Sequence, residues 1–129
     1  MLKLDNTHAF IEDRIAYFYN INEFIRLEKE KGVEVQIEGD FQQKLVDWEI
    51  GMKYIHELAS PLVADKFDKI TYMKTTILDD IKTMANVCKF NLDEHKKLSS
   101  DKIDQSYIRQ TENQIKFLFD CMKEINDLR

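Results

Sequence analysis

The chain has very few of the residues that interrupt regular structure. Its 129 residues include 3 glycines and 1 proline. Strands joined by tight turns need such residues at short, regular intervals, so their scarcity argues against an all-β fold. Between the few breaks, apolar residues recur at steps of three and four, the pattern of amphipathic helices. The sequence therefore predicts an all-α protein.

Cysteine is equally scarce. The two cysteines, Cys88 and Cys121, lack the spacing of a redox or metal-binding motif and fall on or beside apolar stripes. We interpret both as reduced core residues of a cytoplasmic protein, in the producing cell or a host cell, with a disulfide between two helices as the alternative. The isolated glycines form no phosphate-binding loop.

Clustered positive charge and long apolar runs are also missing. The formal net charge is −5, and acidic and basic residues are interleaved. Binding to nucleic acid needs clustered lysine and arginine, so no nucleic-acid partner is expected. No apolar run approaches the roughly 18 residues of a membrane span, and no membrane partner is expected.

The composition fits one globular domain over residues 1–129. Hydrophobic residues make up 43% and charged residues 33% of the chain. A chain of this size buries about two-thirds of the surface that its unfolded form exposes, which is enough for a core without disulfides or metals.

The first two helices have predictable ends. Helix 1 is expected to begin with a cap within residues 5–7 and to end at Gly32, which suits the left-handed position after a helix. Helix 2 is expected to begin at Asp40, with Gln43 completing a capping box, and to run to Ala59.

Between them, Val33-Glu34-Val35-Gln36-Ile37 alternates apolar and polar residues, as a strand does. Two interpretations stay open for this short extended segment. It is a connector whose apolar side chains tuck under the helices, or an edge that pairs with another copy or a partner.

The second half of the chain predicts two more helices. Ser60 and Pro61 suit the cap and first position of a third helix, and a kink at Pro61 in one long helix is the alternative. The third helix is expected to fade at Phe90-Asn91, and Ser99-Ser100 to cap the fourth. The expected stripe of the third helix is Val63, Phe67, Ile70, Ile77, Ile81, Met84 and Cys88. Short links between long helices predict an antiparallel four-helix bundle.

Some apolar side chains exceed what one bundle core needs. They either pack around a central helix or form an interface with a partner or a second copy, since aromatic residues are enriched in interface cores. The residues predicted to form such an interface are Tyr17, Tyr19, Phe24, Val46, Ile50, Tyr54 and Phe117.

The sequence contains no catalytic signature. His8, His56 and His95 are scattered and are not expected to converge, so no metal or cofactor site is predicted. We therefore expect a helical adaptor, regulator or inhibitor that acts through protein–protein interaction, with homo-oligomerisation as one route. The alternative is a divalent-metal enzyme or ligand-binding bundle that uses carboxylates from several helices.

Overall fold

The computed structural model describes residues 4–37 and 39–129. Its helical elements are α1 (Asp5–Glu30), α2 (Phe41–Leu58), α3 (Lys66–Tyr72), a π segment (Met73–Ile77), α4 (Leu78–Lys96) and α5 (Gln105–Asn126). Since α3, the π segment and α4 continue without a break, they make one long helix. The described residues thus form four packed helices without a strand, which confirms the predicted bundle.

Each long helix packs against the next one along the chain, and α5 returns to α1. The start of α1 lies beside the ends of both neighbours, because His8 contacts His56 and Thr7 contacts Glu124. Neighbouring helices are therefore antiparallel, as short connections require. No helix among the described residues is long and apolar enough to cross a membrane.

The core is densest at the end of the bundle where α1 begins and α5 ends. There α1, α2, the long third helix and α5 all contribute side chains that have almost no exposed surface. The largest fully buried side chains are Thr7, Ile11, Trp48, Met73, Ile77, Ile81, Leu118, Cys121, Ile125 and Leu128. Cys121 is a free buried thiol, as predicted, whereas Cys88 is free and only half-buried.

The first helix is capped from a distant part of the chain. It begins at Asp5, and the residue before it makes no side-chain cap. Instead, Glu124 Oε1 accepts hydrogen bonds from the Thr7 amide and hydroxyl, both at 2.8 Å, and Oε2 accepts one from the Asn6 amide at 3.2 Å. The expectation of a local cap is wrong, because a carboxylate of α5 satisfies these amides.

The opposite end of α1 follows the prediction. Gly32 has a φ of 81°, the left-handed conformation expected after a helix. The Val33 amide donates to Glu28 O at 2.9 Å, and the Gly32 amide to Lys29 O at 3.0 Å. This is a Schellman-type end, which satisfies carbonyls that the helix leaves free.

The capping box predicted for α2 does not form. The helix begins at Phe41, directly after Asp40, but the Asp40 side chain accepts no capping hydrogen bond. Gln43 Nε2 donates to Asp47 Oδ1 at 3.0 Å, so its side chain faces along the helix and not back to the cap.

Pro61 lies between two separate helices, so the alternative of a kink in one long helix is wrong, as is the expected start of the next helix at Pro61. The long third helix begins only at Lys66, after Asp65, which has a left-handed φ of 53°. The Ser60 hydroxyl accepts a hydrogen bond from the Leu62 amide at 3.3 Å and closes a local turn. Leu62 is almost fully exposed, so burial of its side chain does not stabilise a helix at this point.

The apolar stripe predicted for the third helix is right at Ile70, Ile77 and Ile81 but wrong at Phe67. The three isoleucines are buried, whereas Phe67 is 80% exposed. The helix begins only at Lys66, so Phe67 lies in its first turn, whereas the prediction assumed a helix that already began at Pro61. The π segment leaves Ile70 and Ile77 on the same buried side.

The ends of the last two helices also differ from the prediction. The third helix continues past Phe90-Asn91 to Lys96 and buries Leu92. The cap of α5 is Asp104 rather than Ser99-Ser100, since Asp104 Oδ1 accepts from the amides of Ser106 at 2.9 Å and Tyr107 at 3.2 Å.

Candidate functional site

Two of the predicted interface residues, Tyr17 and Phe24, lie in one open groove. Their side chains are 49% and 54% exposed. Together with Ile21 of α1 and with Val35 and Ile37, they line a cavity of about 440 Å³ between α1 and the segment 33–37. This groove is mostly apolar and faces solvent.

A second group lies on the outer face shared by α1 and α2. Tyr19 is half exposed, and its hydroxyl donates to Glu49 Oε2 at 3.0 Å. That hydrogen bond raises the pKa of Tyr19. Val46, exposed, and Ile50, half-buried, flank Glu49 on α2. This face is separate from the groove of Tyr17 and Phe24.

The last two predicted residues pack against the core. Tyr54 meets Tyr72 edge-on, with ring centroids 5.3 Å apart, and Phe117 lies 6.3 Å from Phe10. Both are half-buried. Their aromatic surface is largely used within the bundle, while their role in an interface stays a prediction.

The backbone of the segment 33–37 is open to a partner. Within the described parts of the chain, none of the amides or carbonyls of residues 34–37 forms a hydrogen bond. Val35 is half-buried, whereas Val33 and Ile37 are exposed. Free backbone groups beside apolar side chains are what a strand edge offers to another strand.

A polar pocket of about 200 Å³, lined in part by Phe18 and Trp48, adjoins the groove of Tyr17 and Phe24. Asp80 is 9% exposed, and its Oδ1 accepts a hydrogen bond from Lys44 Nζ at 2.5 Å, which raises the pKa of Lys44. The Arg14 guanidinium lies 5.2 Å from the centre of the Phe18 ring. Burial of the guanidinium lowers the pKa of Arg14. Arg14 Nε and Asp80 Oδ2 are buried without a hydrogen-bond partner among the described residues.

Two histidines meet at the other end of α1. His8 Nε2 and His56 Nε2 are 3.2 Å apart, and His8 Nδ1 is 3.6 Å from Glu12 Oε2. His95 is elsewhere, where its Nε2 accepts from the Asp104 amide at 2.9 Å. The expectation that the histidines stay apart is wrong for the first two, because the register of α1 on α2 brings them together.

The alternative of a metal enzyme would need carboxylates that converge from several helices. Residues 4–37 and 39–129 contain no group of three or more His, Cys, Asp or Glu side chains that could together hold a metal ion. Asp80 pairs with Lys44 and Glu124 caps α1, so these two inward acids serve separate structural contacts.

Comparison with known protein families, with curated proteins and with solved structures finds no match to this chain. The chain is therefore described by its fold class, an all-α four-helix bundle, and by the surfaces given above.

Sequence reasoning missed the pairing of Lys44 with Asp80, the position of Arg14 and the contact of His8 with His56. Each depends on how two helices are rotated and shifted against each other. One signal was present: Asp80 occupies the apolar side of its helix next to Ile81, where an unpaired acid would be costly.

Proposed function

We propose that this protein acts through protein–protein interaction and that its first partner is a second copy of the same chain. The dimer would form by antiparallel pairing of the segment 33–37 with its copy, next to the groove of Tyr17 and Phe24. The free backbone groups of residues 34–37 carry this proposal. An adaptor, regulator or inhibitor of this kind would present its remaining faces to other proteins.

The order of residues in the segment favours self-pairing. A two-fold axis at Val35 sets Val33 opposite Ile37 and Glu34 opposite Gln36 of the copy. No like charges then face each other directly, and Glu34 meets a neutral amide that can donate to it. Cross-strand pairs of this kind contribute about 0.2–1 kcal/mol each.

The apolar side chains beside the segment support the same arrangement. Val33 and Ile37 are exposed on the segment, and Tyr17 and Phe24 are half exposed on α1. Pairing would remove apolar surface from water and would satisfy backbone groups at the same time. A strand edge with both features is prone to pair.

The test is the dimer dissociation constant of charge variants at position 36, measured by light scattering and analytical ultracentrifugation. Gln36→Glu places like charges opposite each other twice across the axis, and Gln36→Lys places opposite charges there. Two pairs change the dissociation constant by roughly 2- to 30-fold, weaker for Gln36→Glu and tighter for Gln36→Lys.

Gln110→Glu is the matched control, because Gln110 is exposed on α5 and the substitution changes the net charge equally. It is expected to leave the dissociation constant unchanged. A mass of 15.4 kDa at every concentration would refute self-association and point to a different partner. A dimer indifferent to both changes at position 36 would place the interface elsewhere, with the Tyr19 face next to be tested.

A further inference from the structure

The contact between His8 and His56 joins two helices through groups that bind metals. His8 lies in the first turn of α1, and His56 lies in the last turn of α2. Their rings are nearly parallel, at 27°, with centroids 5.3 Å apart. His56 is exposed and His8 is half-buried.

The spacing of the two nitrogens matches a shared ligand. A zinc ion holds imidazole nitrogens at about 2.0–2.1 Å in a tetrahedral arrangement, which separates any two of them by roughly 3.3 Å. The two Nε2 atoms are 3.2 Å apart. We propose that His8 and His56 bind one divalent transition-metal ion, with Zn²⁺, Ni²⁺ and Cu²⁺ as the class that imidazole ligands suit.

The surroundings of the pair favour metal binding. Glu12 Oε2 lies 3.6 Å from His8 Nδ1, and a carboxylate there favours the tautomer that leaves the Nε2 lone pair free. Carboxylates commonly orient metal-bound histidines in this way. A cavity of about 170 Å³, lined by Asp5 and both histidines, adjoins the two nitrogens and has room for water ligands.

The protein supplies two nitrogen ligands here. The described residues contain no group of three or more His, Cys, Asp or Glu that could together hold a metal ion, so water completes the coordination. The ion would tie residue 8 to residue 56 and thereby hold α1 against α2. This site is independent of the proposed dimer, because it lies at the other end of α1 from the segment 33–37.

The test is calorimetric titration of the metal-free chain, without a histidine tag, with ZnCl₂ and then CuCl₂. We expect one ion per chain, and at least about tenfold weaker binding for His8→Ala and for His56→Ala. His95→Ala is the matched control and is expected to bind as tightly as the original chain, because His95 contacts Asp104 and Tyr107 instead.

Two further readouts separate the site from a simple contact between imidazoles. Electron paramagnetic resonance of the Cu²⁺ form is expected to show two nitrogen ligands, and one in His56→Gln, whose helix content is checked by circular dichroism. Zn²⁺ is expected to raise the melting temperature of the original chain but not that of His8→Ala or His56→Ala. No saturable binding, or an equal loss of binding in His95→Ala, would overturn the proposal.

Discussion

Glu124 offers the sharpest test of how this bundle is held together. It lies in the last turn of α5, yet it caps the first turn of α1 through the Thr7 amide, the Thr7 hydroxyl and the Asn6 amide. Thr7 is fully buried, so water does not readily replace the carboxylate there. Glu124→Ala leaves a buried amide without a partner and removes a negative charge from a helix N-terminus.

The expected loss follows from these contacts. A lost cap costs about 0.5–2 kcal/mol, and a buried donor left unsatisfied about 1–3 kcal/mol. These two costs describe partly the same lost hydrogen bonds and do not add in full, and water can replace the carboxylate at the Asn6 amide. We therefore expect Glu124→Ala to lower the unfolding free energy by about 2–3 kcal/mol. With an unfolding entropy of about 2.1 cal/mol/K per residue, the melting temperature falls by roughly 7–11 °C.

Urea unfolding followed by circular dichroism measures this loss. Glu124→Gln keeps an acceptor oxygen but not the charge, and is expected to lose roughly half as much as Glu124→Ala. Asp120→Asn is the control, since Asp120 is exposed on the same helix one turn earlier. A loss below about 0.5 kcal/mol for Glu124→Ala, or an equal loss for Asp120→Asn, would refute the cap.

Two further predictions concern the core. Burial raises the pKa of the Cys121 thiol to about 12 and also raises that of Tyr72, so the folded chain keeps protons that the unfolded chain releases. Stability measured by urea unfolding should fall as the pH rises above about 9, the ordinary pKa of a thiol, and more steeply above about 10, that of a phenol. The slope should reach up to about 1.4 kcal/mol per pH unit for Cys121, less for the partly exposed Tyr72, and should be smaller in Cys121→Ala; a flat profile would contradict this. A Cβ on Gly51 would lie 2.8 Å from Ile77 Cδ1, whereas one on Gly39 meets nothing within 4 Å. Alanine normally stabilises a helix by roughly 1 kcal/mol relative to glycine, and this steric contact should cancel that gain in Gly51→Ala. Ile77→Val removes the contacting Cδ1 and should restore the gain in a double-mutant cycle. Simple additivity of the two substitutions would show that the close approach is harmless.

The helical character and the number of helices were predictable because they depend on short-range patterns. Apolar spacing of three and four residues predicted helices, and α2 buries Leu45, Trp48 and Ile55 at that spacing. Gly32 was expected to adopt the left-handed conformation after α1, and it does, because a residue without a Cβ can adopt it at low energetic cost.

The same local rules were wrong where a distant contact replaced a local one. Candidate caps lay in the first turn of α1, but Glu124 does the capping from another helix. Phe67 fell on an expected apolar stripe, but the third helix begins only at Lys66, and the ring in this first turn is 80% exposed. Sequence patterns treat each helix as isolated and regular, whereas packing decides its rotation and its irregularities.

By itself, the sequence determined that this chain is a helical bundle with apolar side chains to spare. Both properties are carried by residues three or four positions apart, which local sequence places on one face. Only the tertiary structure decided that Lys44 meets Asp80 and that His8 meets His56, 48 positions apart. These contacts depend on the relative rotation and shift of packed helices, which emerge only when all four bury their faces together.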